Sequence, residues 1–252
     1  MAKRFEGKAV LVTGGGGGIG RAASLAFASE GGRVLVADSD AIEGERTSAL
    51  VREAGGHSVF VEVDVSNDAY CVRMVDAALN TFGRLDIAFN NAGVGGSGFA
   101  LADEEEVTFD RMIAINLKGV FNSMRREVPA MLKSGGGTIV NTASVAGIVG
   151  NPGLSSYCAA KHGVLGLTRA AALDYVKQRV RINAVCPGAT RTRLLEAWFQ
   201  DPAVERHVMS LHPIGRLAGP EEIARVVLFL ASDESSFMVG CAVPVDGGVT
   251  AQ

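Results

Sequence analysis

An open, doubly wound α/β sheet of about seven parallel strands, held in one domain, is predicted by three features of this 252-residue sequence. Short β-branched runs alternate with longer amphipathic stretches almost from end to end. The runs are apolar nearly throughout, as strands buried on both faces of a parallel sheet must be. Between them lie stretches long enough for the right-handed crossover helices that parallel pairing demands.

Taken in order, the strand candidates are Ala9–Thr13, Arg33–Ala37, Ser58–Val61, Asp86–Phe89, Thr138–Thr142, Arg181–Val185 and Ala242–Val245. Helical periodicity marks Ile19–Glu30, Ile42–Ala54, Asn67–Phe82, one long helix within Thr108–Leu132, Ser155–Lys177 and Glu221–Ala231. The acidic run Asp103–Glu106 reads as a solvated face at a helix start, where the dipole favours negative charge. The segment from Gly188 to Gly219 breaks the rhythm, with Trp198, Phe199 and the prolines at 187, 202, 213 and 220 in or beside it. An insertion of that length in a compact domain predicts a lid, at about residues 188–219 of a domain spanning 1–252.

Composition narrows the function classes. Twenty-four basic residues against 27 acidic ones give a formal charge of −3, with no Lys/Arg-rich run, so nucleic acid is not the expected partner. Hydrophobic residues make up 48% and charged residues 20%, which excludes disorder as the main state. The 32 glycines exceed the roughly 18 that average usage would give, and without a Gly-X-Y period they point to tight turns and close backbone approaches. Cys71, Cys158, Cys186 and Cys241 show no CxxC spacing and read as reduced, mostly buried thiols. The apolar run Ala9–Val12 is too short for a signal peptide, and no stretch approaches a membrane span, so a cytoplasmic protein without a membrane partner is expected. The four histidines lack paired ligand spacing and no metal is expected, while His207 and His212 fall in the lid segment.

The first strand runs directly into TGGGGGIG, Thr13 to Gly20, which opens the first helix. Gly14 can make the tight turn, Gly18 can let the backbone approach a pyrophosphate, and Gly20 can allow close helix–strand packing. The helix N-terminus then presents free N–H groups and a positive dipole end to the phosphates, which makes the fold a Rossmann-type dinucleotide binder. A Gly-rich run alone could be only a flexible turn; its place on the first strand–helix junction is what points to the cofactor. Asp38, at the end of the second strand, can accept hydrogen bonds from the adenosine ribose and would repel a 2′-phosphate. Its neighbours Ala37 and Ser39 and the turn residue Gly15 are not basic, so NAD rather than NADP is the expected cofactor. The plainer reading is that Asp38 starts a turn with Ser39 and Asp40.

These motifs, with those that follow, resemble the short-chain dehydrogenase/reductase family from Lys8 to Gly248. Thr13–Gly20 is similar to its TGxxxGIG turn, Asn90–Gly93 to its NNAG segment, Tyr157 and Lys161 to its YxxxK pair, and Pro187, Gly188 and Thr192 to its PGxxxT segment. The resemblance implies a catalytic set of Asn116, Ser144, Tyr157 and Lys161. It also implies cofactor contacts from Gly14, Gly18, Ile19, Gly20, Asp38, Asp64, Val65, Asn91, Ala92, Gly93, Tyr157, Lys161, Pro187, Gly188, Thr190 and Thr192. Lys161 would bind the nicotinamide ribose, and Asn116 would hold a water relaying protons from Lys161 to solvent. A homotetramer is implied too, with the long fourth and fifth helices at one interface and the C-terminal strand region at another.

The chemistry can be argued from the residues themselves. Tyr157 and Lys161 stand at i and i+4 on one helix and share a face. A free tyrosine, with a pKa of about 10, is a poor base near neutrality, and a nearby ammonium favours its phenolate. Tyr157 is therefore the expected proton acceptor from an alcohol, or donor to a ketone. Ser144 would hydrogen-bond the substrate oxygen where negative charge develops. Taken singly, each of the four could be a packing, capping or solvated residue; their joint presence in order argues for chemistry.

Substrate walls are expected from Val94–Phe99, from the residues after Ser144, and from Leu194, Leu195, Trp198 and Phe199 of the lid, which could equally serve only to anchor it. Their apolar character fits a compact or cyclic secondary alcohol or ketone. HPIGR (His212–Arg216), Asp174–Tyr175 and the DGG tail are similar to dehydrogenases of cyclic alcohols and cyclohexadienediols. A 3-oxoacyl-carrier reductase ranks lower, because Ala170–Ala172 and Asp174 follow Lys161 where basic docking residues would be wanted. A non-catalytic NAD-binding regulator would not need both Tyr157 and Lys161, and a methyltransferase would need neither. If Asp38 reads the ribose, Asp38→Ala combined with Ser39→Arg moves the ratio of kcat/KM values toward NADP; an unchanged ratio removes Asp38 from cofactor choice.

Overall fold

The computed structural model describes residues 3–196, 199 and 201–252. Seven parallel strands form one sheet: β1 (Ala9–Thr13), β2 (Arg33–Asp38), β3 (His57–Glu62), β4 (Ile87–Asn90), β5 (Gly137–Thr142), β6 (Val180–Pro187) and β7 (Ala242–Val245). Their order across the sheet is β3-β2-β1-β4-β5-β6-β7. The order reverses between β1 and β4, so their carboxyl ends flank a crevice where ligands of open α/β sheets bind.

Alternate side chains of each strand feed opposite faces, which is why the runs read as continuously apolar. Val10 and Val12 of β1, Val34 and Val36 of β2, and Ile87 and Phe89 of β4 join one buried cluster. That cluster is covered by α1 (Gly18–Ser29), α2 (Ala41–Glu53) and, further along the chain, the helix Pro220–Ala231, through Phe27, Val51 and Val227. Leu11, Leu35 and Ala88 point the other way, into a second cluster with Met74, Val128 and Val164. Its covering helices are α3 (Asp68–Phe82), α5 (Gly119–Lys133) and α6 (Ser155–Tyr175), with α4 (Glu106–Ile113) just before α5.

Local chemistry starts these helices where it should. The Asp40 carboxylate accepts from the amides of Ile42 and Glu43, both at 3.1 Å, and caps α2. Asn67 caps α3 in the same way, through Ala69 N at 3.0 Å. The lid segment contains α7 (Arg193–Glu196) and α8 (Pro202–Ser210), the latter capped by Asp201 and begun by Pro202. The last helix, α9, is the Pro220–Ala231 element. Trp198, expected in the lid, lies outside the described residues. Among the described residues, no helix is long and apolar enough to cross a membrane, and no cluster of His, Cys, Asp and Glu could hold a metal ion.

The long helix expected within Thr108–Leu132 is instead three pieces. A π-helical turn, Ala114–Lys118, separates α4 from α5. Such turns often mark working positions. β4 also begins one residue later than expected. The Asp86 carboxylate accepts from Ala9 N at 2.9 Å and from the Arg84 guanidinium at 2.8 Å, tying strand ends together.

A polar ladder runs through the second cluster. Asn90 and Asn141 are register partners on β4 and β5. Asn90 Nδ2 donates to Asn141 Oδ1 and to Glu127 Oε2, each at 3.0 Å, and Asn141 Nδ2 donates to Thr168 Oγ1 at 2.9 Å. Glu127 is fully buried, and its Oε1, like Asn90 Oδ1, has no partner. Burial pushes the Glu127 carboxyl up to about 8, with Asn90 opposing in part. The ionisable group facing it from α3, Cys71, is a thiol that burial raises to about 11, so it brings no charge near neutrality.

Glu127 thus keeps its proton in the folded chain at pH values where the unfolded chain has released it. Folding stability must fall as pH rises from about 4.5 toward 8, by up to about 1.4 kcal/mol per pH unit, and then level off. Glu127→Gln, which keeps a donor and an acceptor in place, should abolish that slope in urea melts between about pH 5.5 and 7.5. Parallel slopes for the two proteins would show that Glu127 is ionised in the fold.

Candidate active site

The crevice is closed from below by one side chain. Thr13 Oγ1, at the end of β1, accepts from Asn91 N at 3.0 Å and Ala92 N at 3.2 Å, just past the end of β4. Asn91 Nδ2 donates back to Gly14 O at 3.2 Å, and Asn91 Oδ1 accepts from Thr142 Oγ1 at 3.3 Å. The turn has no room for side chains where it meets these groups. A Cβ on Gly14, whose φ is +62°, would sit 2.8 Å from Ala92 Cα, and one on Gly20 would sit 2.0 Å from Gly14 O. Gly18 lies against the lid, where a Cβ would meet the Thr192 methyl at 2.8 Å. Ile19 packs half-buried in the first turn of α1. The cradle so formed, opening onto the N-terminus of α1, fits a dinucleotide's pyrophosphate.

At the far end of the turn, Asp38 Oδ2 accepts from Gly16 N at 2.7 Å and Oδ1 from Asp40 N at 2.9 Å. Asp38 therefore organises the turn, as the plainer reading held, while remaining partly exposed at its rim. Asp64 follows β3, and its Oδ1 accepts from Ser66 N and Oγ at 2.9 and 2.7 Å. Val65 beside it is buried, and its carbonyl accepts from Asn122 Nδ2 at 3.0 Å.

The residues expected to do chemistry converge beyond β4 and β5. Lys161 is buried and Nζ donates to Thr142 O at 2.8 Å, standing 5.6 Å from the Tyr157 ring centroid. Ser144 Oγ accepts from Ala146 N at 3.1 Å and lies beside Tyr157. Asn116 sits in the π-helical turn with its side chain engaged: Oδ1 accepts from Val94 N at 2.9 Å and Nδ2 donates to Val94 O at 3.0 Å. Gly93 fills the gap between these groups, since a Cβ there would lie 2.7 Å from Asn116 Oδ1 and 3.8 Å from Lys161 Nζ.

One expectation fails. Burial raises the Tyr157 pKa, and the neighbouring Ser144 offsets this only in part. Burial also drops Lys161 to about 8, and its Nζ is directed to the Thr142 carbonyl rather than to the Tyr157 hydroxyl. Sequence spacing placed the two side chains on one face but carried no information about desolvation.

The segment after β6 completes the rim. Gly188 N donates to Val245 O at 3.1 Å, Thr190 pairs with Ala218 in a short parallel bridge, and Thr190 Oγ1 donates to Gly188 O at 3.1 Å. Pro187 ends β6, and Thr192 reaches Gly18. Three residues here, Arg21, Glu43 and Arg193, escaped the sequence reading, which did place His212 in the lid. His212, buried after α8, accepts from Ala189 N at 2.9 Å through Nε2 and bonds Val208 O at 2.8 Å through Nδ1, tying the lid to the Pro187–Thr192 segment. Arg21, Glu43 and Arg193 form a chain of ion pairs from α1 through α2 to α7. Nothing short of the fold brings residues 22 and 150 positions apart together.

Comparison with known proteins identifies relatives over nearly the whole chain. The family model described as Enoyl-(Acyl carrier protein) reductase matches residues 14–250. Cyclohexanol dehydrogenase of Acinetobacter sp. strain SE19 is 43% identical over 255 residues, covering 100% of this chain and 98% of that protein. The 2,5-dichloro-2,5-cyclohexadiene-1,4-diol dehydrogenase of Sphingobium indicum is 43% identical over 249 residues, covering 98% of each. The crystal structure of levodione reductase superposes with a TM-score of 0.95 at 39% identity, covering 98% of this chain and 99% of that one.

Proposed function

Because the chain belongs to the short-chain dehydrogenase/reductase family, we propose that it interconverts a small apolar or cyclic secondary alcohol and its ketone, using NAD. The family's dehydrogenases use a nicotinamide cofactor and act on CH–OH groups. The observation that carries the reading is the convergence of Ser144, Tyr157 and buried Lys161, its Nζ 5.6 Å from the Tyr157 ring centroid, next to a glycine cradle that admits a pyrophosphate. Asp38 at the rim of that cradle supports NAD over NADP, by repulsion of a 2′-phosphate.

In this reading Tyr157 takes the hydroxyl proton of the alcohol, or returns it to the ketone. Ser144, its rotor fixed by Ala146 N, donates to the substrate oxygen as charge develops there. A bound nicotinamide supplies or accepts the hydride. Lys161 donates to the Thr142 carbonyl and, with a pKa of about 8, passes protons between Tyr157 and solvent. Asn116 acts on this relay through its main chain, because both ends of its amide hold Val94. Asn91, Ala92 and Gly93, Asp64 and Val65, and the Pro187–Thr192 segment complete the cofactor groove.

The single domain with its lid over 188–219 encloses the substrate. The relatives named for cyclic alcohols and diols, and the apolar Leu194 and Leu195 of the lid, support a compact substrate. The described family model supports an acyl-carrier reductase as the second reading; against it, Arg126 is engaged by Asp68 and the helix after Lys161 is not basic. A homotetramer is supported by Val107 on α4, Phe121 on α5 and Leu173 on α6, large apolar side chains left exposed. The four thiols are unpaired, which suits the cytoplasm.

With NAD and a panel of linear, cyclic and aromatic secondary alcohols, NADH production is expected to be fastest on cyclic members. Tyr157→Phe should lose about 10²–10⁴-fold in kcat while still binding NAD. Binding of NAD with no turnover on any alcohol or ketone would remove the reading. Light scattering at micromolar concentration is expected to give four chains per particle, and a monomer would overturn the assembly.

A further inference from the structure

The adenosine end of the glycine turn meets more charge than Asp38 alone. Glu43, in the first turn of α2, accepts from Arg21 of α1 through Oε2 and from Arg193 of α7 through Oε1 at 2.8 Å. Arg46 stands 3.9 Å away. Arg21 also donates to Thr47 Oγ1 at 2.9 Å and to Gly16 O. Gly16 is the residue whose amide Asp38 holds, so a guanidinium and the ribose-reading carboxylate grip one turn residue.

The turn itself supplies no cation, and Gly16, which faces Asp38, has little space for a side chain: a Cβ there would lie 2.8 Å from Asp38 Oδ2. The guanidinium groups nearest this end come from α1, α2 and the lid, and all three lie against Glu43. Three guanidinium groups (Arg21, Arg46, Arg193) face three carboxylates (Asp38, Asp40, Glu43). Glu43 and Arg21 are sheltered, at 15% and 23% side-chain exposure, whereas Arg193 is 70% exposed. The Arg21 pair is thus the stronger of the two, because water screens it less. A guanidinium fork binds phosphate as readily as carboxylate, so what Glu43 occupies is what a 2′-phosphate would recruit.

We propose that Glu43 is a specificity-determining residue for the cofactor: it engages Arg21 and Arg193 in ion pairs, and so denies the adenosine end of the groove the cations that NADP requires. The inference rests on the dinucleotide reading of the site above and deepens it. It assigns NAD preference to two carboxylates, Asp38 acting by repulsion and Glu43 by occupation.

The test is titration of NADH and NADPH fluorescence on the wild type, Glu43→Gln, Arg21→Gln and the Glu43→Gln/Arg21→Gln double variant. Freed guanidinium in Glu43→Gln should lower the ratio of the NADPH to NADH dissociation constants at least about tenfold, chiefly by tightening NADPH. Arg21→Gln should change that ratio by less than about twofold in the wild-type background but cancel the gain in the double variant, the coupling that a double-mutant cycle measures. Glu43→Asp, which keeps an acidic residue in the first turn of α2 but shortens its reach, should shift the ratio the same way and serves if the Gln variant is poorly folded. A folded Glu43→Gln or Glu43→Asp with the wild-type ratio overturns the inference alone. A gain that survives in the double variant overturns the role of Arg21. A wild type that binds neither dinucleotide overturns the functional reading and this inference with it.

Discussion

One hydroxyl holds the site in register. Thr13 Oγ1 accepts from two consecutive amides, Asn91 and Ala92, and thereby fastens the turn after β1 to the turn after β4 across the point where the sheet reverses order. Every other feature of the crevice follows from that closeness. Gly14 must lack a side chain because Ala92 has been drawn against it, and Gly20 because Gly14's carbonyl has been turned beneath it. Asn91, once placed, bonds both the turn and Thr142. Thr142 in turn offers the carbonyl that positions Lys161. The path from the phosphate cradle to the proton-transfer pair is thus a short run of hydrogen bonds between strand ends.

The legibility of the fold in the sequence has a physical cause. The expected strands fall within two residues of those observed at nearly every end, because burial on both faces writes an uninterrupted apolar run. β1 shows this best: all five of its residues are buried, and Val10 and Leu11 serve opposite clusters. The glycine turn and the Tyr157–Lys161 pair were legible for a related reason, since each is local in sequence. The π-helical turn at Asn116 was not, because it changes hydrogen bonding without changing the order of apolar and polar residues. Nor was the ion-pair chain through Glu43, whose members look like ordinary surface charges until the fold collects them.

The electrostatics of the two ends of the groove differ in kind. At the adenosine end charges are numerous, paired and partly wet; Arg21 and Arg193 hold the Glu43 carboxyl down to about 2. Charge there is fixed, and on the proposed reading it selects between ligands by occupation and repulsion. At the catalytic end charges are few and dry. Burial lowers Lys161 to about 8 and raises Tyr157, so both groups are moved toward their neutral forms.

That difference bears on how the proton moves. A phenolate formed in advance of substrate would need a strong local cation, and the protein places its nearest one against a carbonyl and in a dry setting that weakens it. On the proposed reading, Tyr157 is therefore held as a neutral hydroxyl beside Ser144, and a base is made only when other groups join them. An alcohol oxygen reaching Ser144 and Tyr157 is such a group: as its carbon loses hydride, its own proton becomes acidic and the demand on Tyr157 falls. Proton transfer is then timed by the substrate rather than by a standing charge.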